Sequence, residues 1–213
     1  MRIIACLSQK GGVGKSTFSR LIAAAYAHSG WTVKIADFNT KQKTSTDWAA
    51  LRQSEGVKPE IAAETFTSIN NALKQADRYD LLVCDGRPDS DVSSLEIARK
   101  AGLIVIPVGV SLDDLQPQVL FAHELVSKGI DKRRLVFIIN RTVDSEVAHE
   151  DARHFVTSAG YRCAATDIPL RTAYQMAQNA GRSLLETHYT TLNARAAELM
   201  KEIVKIAKVK ETL

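Results

Sequence analysis

The stretch Gln9-Lys10-Gly11-Gly12-Val13-Gly14-Lys15-Ser16-Thr17 constrains this chain more than any other. It follows the apolar run Ile3-Ile4-Ala5-Cys6-Leu7, which reads as a strand. It leads into Phe18 to Ala27, whose apolar spacing is helical. Strand, glycine-rich turn and helix in that order are the context of a phosphate-binding loop. Three glycines let the backbone curl so that successive N–H groups point inward at an anion. The helix beginning near Lys15 adds its positive end. The backbone amides of Gly11, Gly12, Val13, Gly14, Lys15, Ser16 and Thr17 are therefore candidate phosphate donors. Lys15 would reach the β- and γ-phosphates, and the Ser16 hydroxyl would ligate Mg²⁺. A nucleotide site follows.

The loop departs from the general pattern. The spacing G-x-x-x-x-G-K-[ST] calls for glycine at position 9, where this chain has Gln9, and a second lysine, Lys10, stands five residues before Lys15. This resembles the deviant Walker A motif of the ParA/MinD family of dimerising ATPases, and within it most closely the ParA-type plasmid and chromosome partition ATPases. The resemblance implies ATP and Mg²⁺ as cofactors and a homodimer formed on ATP binding. It also implies that Lys10 reaches across a two-fold interface to the partner's nucleotide. Spacing alone would not assign that role, because an exposed lysine is otherwise ordinary.

The rest of the chain fits one domain over residues 1–213. With 45% hydrophobic residues, 213 residues are enough for a full α/β core. No Pro/Gly/Ser-rich tract, charge block or internal repeat marks a linker. Three cysteines (Cys6, Cys84 and Cys163), each on or beside an expected strand, suggest buried reduced thiols in a cytoplasmic protein. The first residues run straight into a strand, so no signal peptide is expected, and no apolar run approaches a membrane span.

Further candidates fall at strand ends, where α/β folds place ligand-binding residues. Thr32 to Ala36 reads as a strand ending at Asp37, followed by Asn39 and Gln42. Family members carry Asp-x-Asp there, commonly followed by Pro-Gln. Asp37 matches the first acid. Asn39 stands where the second would position the attacking water, so the resemblance supports binding better than fast hydrolysis. An acid at the first position also suits a turn or helix cap. Leu81 to Asp85 is a buried parallel-type run ending in an acid that can hold Mg²⁺ or its water. Gly86-Arg87-Pro88 resembles the family's Asp-x-Pro-Pro with one proline kept. Arg134 to Ile139 reads as a strand finishing in Asn140. There the family places an adenine contact, and a side-chain amide can pair with both edges of that base. An Asx turn is the alternative. The string Ile168-Pro169 through Arg171, Ala173-Tyr174, Ala177, Gly181, Ser183 and Glu186 resembles the family's C-terminal signature, in which the proline lines the base pocket.

Helices are expected over Thr46 to Gln53, Ser68 to Ala76, Ser111 to Lys128 and Glu146 to Ala159, with an edge strand at Pro59 to Ala62. The last helix, about Thr191 to Val209, has one apolar stripe, and its aliphatic character favours docking on the core over a membrane surface. From Asp151 onward nine Lys/Arg face six Asp/Glu, so this third carries +3 of the formal net charge of +4. DNA-positioning family members bind DNA without sequence preference through basic residues in this part of the fold, so Arg171 and Arg182 become candidate DNA contacts. A solvated helix face explains the same charges without a ligand.

These readings converge on a doubly wound α/β fold with a mostly parallel sheet and helices on both faces. The implied function is an ATP-dependent switch that positions DNA or another cargo, with weak hydrolysis stimulated by an adaptor protein, in the cytoplasm or on the nucleoid. The rivals are a MinD-like membrane-associated ATPase and a P-loop ligase or kinase for a small molecule. The second would need an acceptor pocket, for which so short a chain offers no insertion.

Overall fold

The computed structural model describes residues 2–88, 92–143 and 145–208. Its strands are β1 (Arg2–Cys6), β2 (Val33–Asp37), β3 (Ala62–Thr65), β4 (Leu81–Asp85), β5 (Leu103–Val108), β6 (Leu135–Thr142), β7 (Arg162–Cys163) and β8 (Ile168–Pro169). They lie in the order β3-β2-β4-β1-β5-β6-β7, with β8 also on β6, and every pairing is parallel. Parallel strands need crossovers, and the helices supply them: α1 (Lys15–His28), α2 (Thr44–Ser54), α3 (Ile69–Leu73), α4 (Val92–Lys100), α5 (Leu112–Ser127), α6 (Glu146–Ser158), α7 (Thr172–Asn179) and α8 (Thr190–Lys208).

Both faces of the sheet are covered, which is why β1, β4 and β5 are continuous apolar runs. On one side Ile4, Cys6, Val83 and Ile138 pack under α1, α2, α7 and α8, with Phe18, Leu21, Trp48, Tyr174, Leu199 and Ile203 buried. On the other, Ala5, Leu82, Ile104 and Phe137 pack under α3 to α6. The last helix docks on the core through Ala196, Leu199, Met200 and Ile203, as its stripe predicts; Val209, its expected last residue, lies outside the described residues. No helix among the described residues is long and apolar enough to cross a membrane.

Two expectations shift. The edge strand forms at Ala62–Thr65 instead of Pro59 to Ala62, because β2 sets its register through Lys34↔Ala62 and Asp37↔Thr65. Pro59 has no N–H to give a ladder. The helix expected over Ser68 to Ala76 is only five residues long, and a 3₁₀ turn, Ala76–Arg78, follows it.

The register decides where a ligand can go. Cys6, Asp37 and Asp85 are aligned across adjacent strands, so the loop leaving β1 and the two acids share one end of the sheet. From β1 the chain crosses to β2 and on to β3 at the edge, comes back to β4 between β2 and β1, and then passes to β5 on the other side of β1. That reversal opens a crevice at the carboxyl end of β1.

Candidate functional site

The loop between β1 and α1 is wound by Gly12 at φ 75° and Gly14 at φ 115°. Gly14 has a second reason to be glycine, since a Cβ there would stand 2.4 Å from Asn140 Nδ2. Lys15 is buried, and its Nζ donates to the Lys10 carbonyl at 2.9 Å. Ser8 Oγ holds the same carbonyl at 3.2 Å and accepts from Lys10 N at 3.1 Å. The loop is thus pre-curled around its own backbone, and it borders a cavity of about 320 Å³. That cavity is lined by Gly11, Gly12, Gly14, Lys15, Ser16, Thr17, Arg20, Asn39, Gln42, Thr44 and Arg141, among others.

Lys10 lies on the rim. Its side chain is 42% exposed, and its Nζ pairs with the Asp114 carboxylate and donates to the Asp113 carbonyl at 3.3 Å. That carbonyl is available for a local reason. Pro117, inside α5, has no N–H to give the residue four positions earlier.

Asp37 is fully buried. It accepts from Asn39 N at 2.9 Å with one oxygen and from Ser45 N and Thr46 N at 2.9 and 3.2 Å with the other. These bonds make it the anionic cap of α2. Asn39 and Gln42 pair with each other at the mouth of the cavity.

Asp85 is the group best matched to a cation. Its Oδ2 accepts from Ser45 Oγ at 2.6 Å, while Oδ1 is buried with no hydrogen-bond partner among the described residues. Burial pushes its pKa up to about 6; the Ser45 hydroxyl opposes this, Asp37 adds to it, and Ser16 and Arg20 oppose it. Such an oxygen beside the Ser16 hydroxyl and a phosphate cradle fits Mg²⁺, which keeps most of its shell as water and phosphate. Consistent with that, no cluster of three or more His, Cys, Asp or Glu among the described residues could hold a metal by itself.

Asn140 sits under the loop. It is buried and donates from Nδ2 to the Val13 carbonyl at 2.7 Å. That bond uses one of the amide's two donors, so the side chain braces the loop. Pro169, on β8, is half-buried and lines a separate polar cavity with Thr142, Asp167, Arg171 and Arg195. Arg171 is exposed at the N-cap of α7, and Arg182 is half-buried just beyond that helix, its carbonyl accepting from Trp48 Nε1 at 3.2 Å. Two other basic residues of the last third have internal partners. Arg195 pairs with Asp167 at 2.6 Å, and Arg153 donates to the carbonyls of Ala164 and Ala165.

Sequence reasoning missed Arg20, Thr44, Ser45 and Asp114. Arg20 alone left a signal: it stands one helical turn beyond Ser16, hence on the same face of α1. Cys84 faces the opposite side of the sheet from Asp85, as strand alternation requires, and Cys6, Cys84 and Cys163 form no disulfide.

Comparison with known proteins agrees with this geometry. The family model described as CobQ/CobB/MinD/ParA nucleotide binding domain matches residues 4–185. The chain is 27% identical to the maintenance of carboxysome distribution protein A of Gloeobacter kilaueensis, covering 92% of this chain and 89% of that one. It is 25% identical to the chromosome-partitioning ATPase Soj of Thermus thermophilus, covering 99% and 98%. The septum site-determining protein MinD of Pyrococcus horikoshii, solved with Mg-ADP, has the same fold, with a TM-score of 0.74 at 14% identity over 98% of each chain. With residues 4–185 of its 213, the whole phosphate loop among them, inside the match, the chain belongs to the CobQ/CobB/MinD/ParA nucleotide-binding-domain family.

Proposed function

We propose that this chain is an ATP-driven dimerisation switch that binds duplex DNA without sequence preference and positions or segregates DNA or another cargo, hydrolysing Mg-ATP slowly. The observation that carries this reading is Lys10. It is a second, rim-exposed lysine beside Gly11 and Gly12, close enough to the phosphate cradle that its carbonyl binds Lys15 Nζ. A cation on the rim can serve a second subunit's nucleotide as well as its own.

In this reading the amides of Gly11 to Thr17 and the Lys15 ammonium bind the phosphates. Ser16 and Asp85 serve Mg²⁺, and Lys10 acts in trans. Asp37 fixes α2 and with it the Asn39 loop beside the attacking water; Asn140 and Pro169 bound the base. Phosphoryl transfer needs mainly positioning and charge neutralisation, so the set suffices without a covalent nucleophile. Arg171 and Arg182 contact DNA phosphates, a partner protein stimulates hydrolysis, and the protein works in the cytoplasm, associated with the nucleoid. The relatives named for carboxysome distribution and chromosome partitioning support a positioning role.

Fluorescence anisotropy on unrelated duplexes, with ATP or ADP and rising salt, tests the DNA half. The ATP state should bind more tightly, with log K falling by about 0.9 per phosphate contact for each log unit of salt. Arg171→Ala and Arg182→Ala should weaken all duplexes alike. No binding at low salt, or marked sequence preference, would contradict it.

A further inference from the structure

Arg20 makes contacts that phosphate binding does not explain. One turn beyond Ser16, it donates from Nη2 to the Thr44 carbonyl at 2.6 Å and from Nη1 to Gln178 Oε1 at 3.2 Å. Its guanidinium lies 5.6 Å from the centroid of the Trp48 ring. Its Nε is buried with no hydrogen-bond partner among the described residues. A forked cation held this way is a rigid support, and what it supports is the first residue of α2.

Thr44 in turn faces the phosphate loop. Its Oγ1 lies 3.1 Å from Ser16 Oγ, and both residues line the same cavity. The next residue, Ser45, donates its hydroxyl to Asp85. Mg²⁺ takes ligands at about 2.1 Å in a near-ideal octahedron, so two oxygens at right angles on it are about 3.0 Å apart. The Ser16–Thr44 separation matches that edge. Two hydroxyls that share a hydrogen bond here can both turn lone pairs to one cation, with the buried Asp85 carboxylate held by the neighbouring Ser45.

We propose that Thr44 is a second hydroxyl ligand of the nucleotide's Mg²⁺, adjacent to Ser16, and that Arg20 is the positioning residue holding it there through the Thr44 carbonyl. The inference rests on the nucleotide-binding reading above and adds to it a metal ligand from α2. Through Gln178 the same guanidinium ties that ligand to α7.

The test is Mn²⁺ binding to the protein with ADP, followed by the electron paramagnetic resonance signal of the free ion, alongside ADP affinity in chelator. Thr44→Val should weaken Mn²⁺ about tenfold while leaving metal-free ADP affinity within about twofold. Thr44→Ser should restore it. Arg20→Met should weaken Mn²⁺ several-fold with metal-free ADP affinity unchanged. Because Arg20 acts through Thr44, the Arg20→Met/Thr44→Val double variant should be no worse than Thr44→Val alone. Unchanged Mn²⁺ affinity in Thr44→Val, with ADP bound normally, would overturn the Thr44 assignment alone. Full additivity in the double variant would overturn the positioning role of Arg20. Wild-type protein that binds no ADP in either condition would overturn the nucleotide reading and this inference with it.

Discussion

Asn39 and Gln42 hold each other by two hydrogen bonds, from Asn39 Nδ2 to Gln42 Oε1 at 2.8 Å and from Gln42 N to Asn39 Oδ1 at 3.1 Å. The Asn39 amide is therefore spent on its own loop. A carboxylate at position 39 would still accept from Gln42 N but would lose the donor to Oε1, freeing the Gln42 side chain. It would also offer the attacking water a charged acceptor. A charge-assisted hydrogen bond is worth about 1.5–3 kcal/mol, and about 1.4 kcal/mol of barrier is tenfold in rate. Single-turnover hydrolysis by Asn39→Asp should accordingly be about ten- to a hundredfold faster than wild type, with nucleotide affinity little changed. An equal or slower rate would show that another group positions the water, and Gln42→Ala then tests the nearest one.

The Lys10–Asp114 pair holds in cis the lysine that the proposed dimer uses in trans. A part-exposed ion pair is worth up to about 1 kcal/mol, which is about fivefold in an equilibrium constant. The two-fold dimer breaks this pair in both subunits, so Asp114→Ala should tighten ATP-dependent dimerisation by up to the square of that factor, about 25-fold, read by analytical ultracentrifugation over a concentration series. Weaker dimerisation would mean that Asp114 positions Lys10 within the dimer.

Gly14 and Asn140 form one device. Gly14→Ala would place a Cβ against the Asn140 amide at a φ of 115°, which L side chains rarely adopt. Strain of that kind costs about 1–3 kcal/mol. ATP affinity should fall at least tenfold. Adding Asn140→Ala should not restore it, because the backbone conflict remains and the Val13 carbonyl loses its donor. Full rescue by the double variant would show that the clash alone mattered.

Arg52 and Glu186 fasten α2 to the segment after α7. Arg52 is almost wholly buried and forks onto both Glu186 oxygens at 2.8 and 2.7 Å, with Gly181 and Pro59 carbonyls taking further N–H groups. Burial by itself would raise the Glu186 carboxyl; Arg52, the Ser183 N–H and His28 outweigh it and hold the pKa down to about 2. A depressed acid stabilises the fold above its unfolded pKa, and that stability, on the order of 3 kcal/mol, is lost as pH falls from about 4.5 towards 2. Arg52→Met leaves a buried charge and should cost about 3–5 kcal/mol at pH 7. In denaturant melts the deficit should shrink as the pH is lowered through 4.5, because the orphaned carboxyl can then protonate. A deficit independent of pH would assign the loss to packing around Trp48 instead.

Much of this was legible from sequence because the signals were local. The phosphate loop needs glycine at fixed spacing, and β4 and β5 are runs that only a doubly covered sheet can bury. What was not legible depends on residues far apart in the chain. Asn140 meets Val13 across 127 positions, Arg20 meets Gln178 across 158, and Lys10 meets Asp114 across 104. The edge strand moved because its register belongs to β2, and α3 stopped early although its residues suit a longer helix. Asp37 carried two readings in sequence, and its bonds to Ser45 N and Thr46 N are those of a helix cap.

The central claim is that Lys10 makes ATP a dimerising ligand. Static light scattering on wild type and Lys10→Ala, with saturating Mg-ATP or Mg-ADP, measures it directly. The wild-type mass should rise from that of the 23.4 kDa monomer to twice that value with ATP only, and Lys10→Ala should remain a monomer in both. Wild-type protein that stays monomeric at saturating ATP, or a Lys10→Ala variant that dimerises as readily, would contradict it.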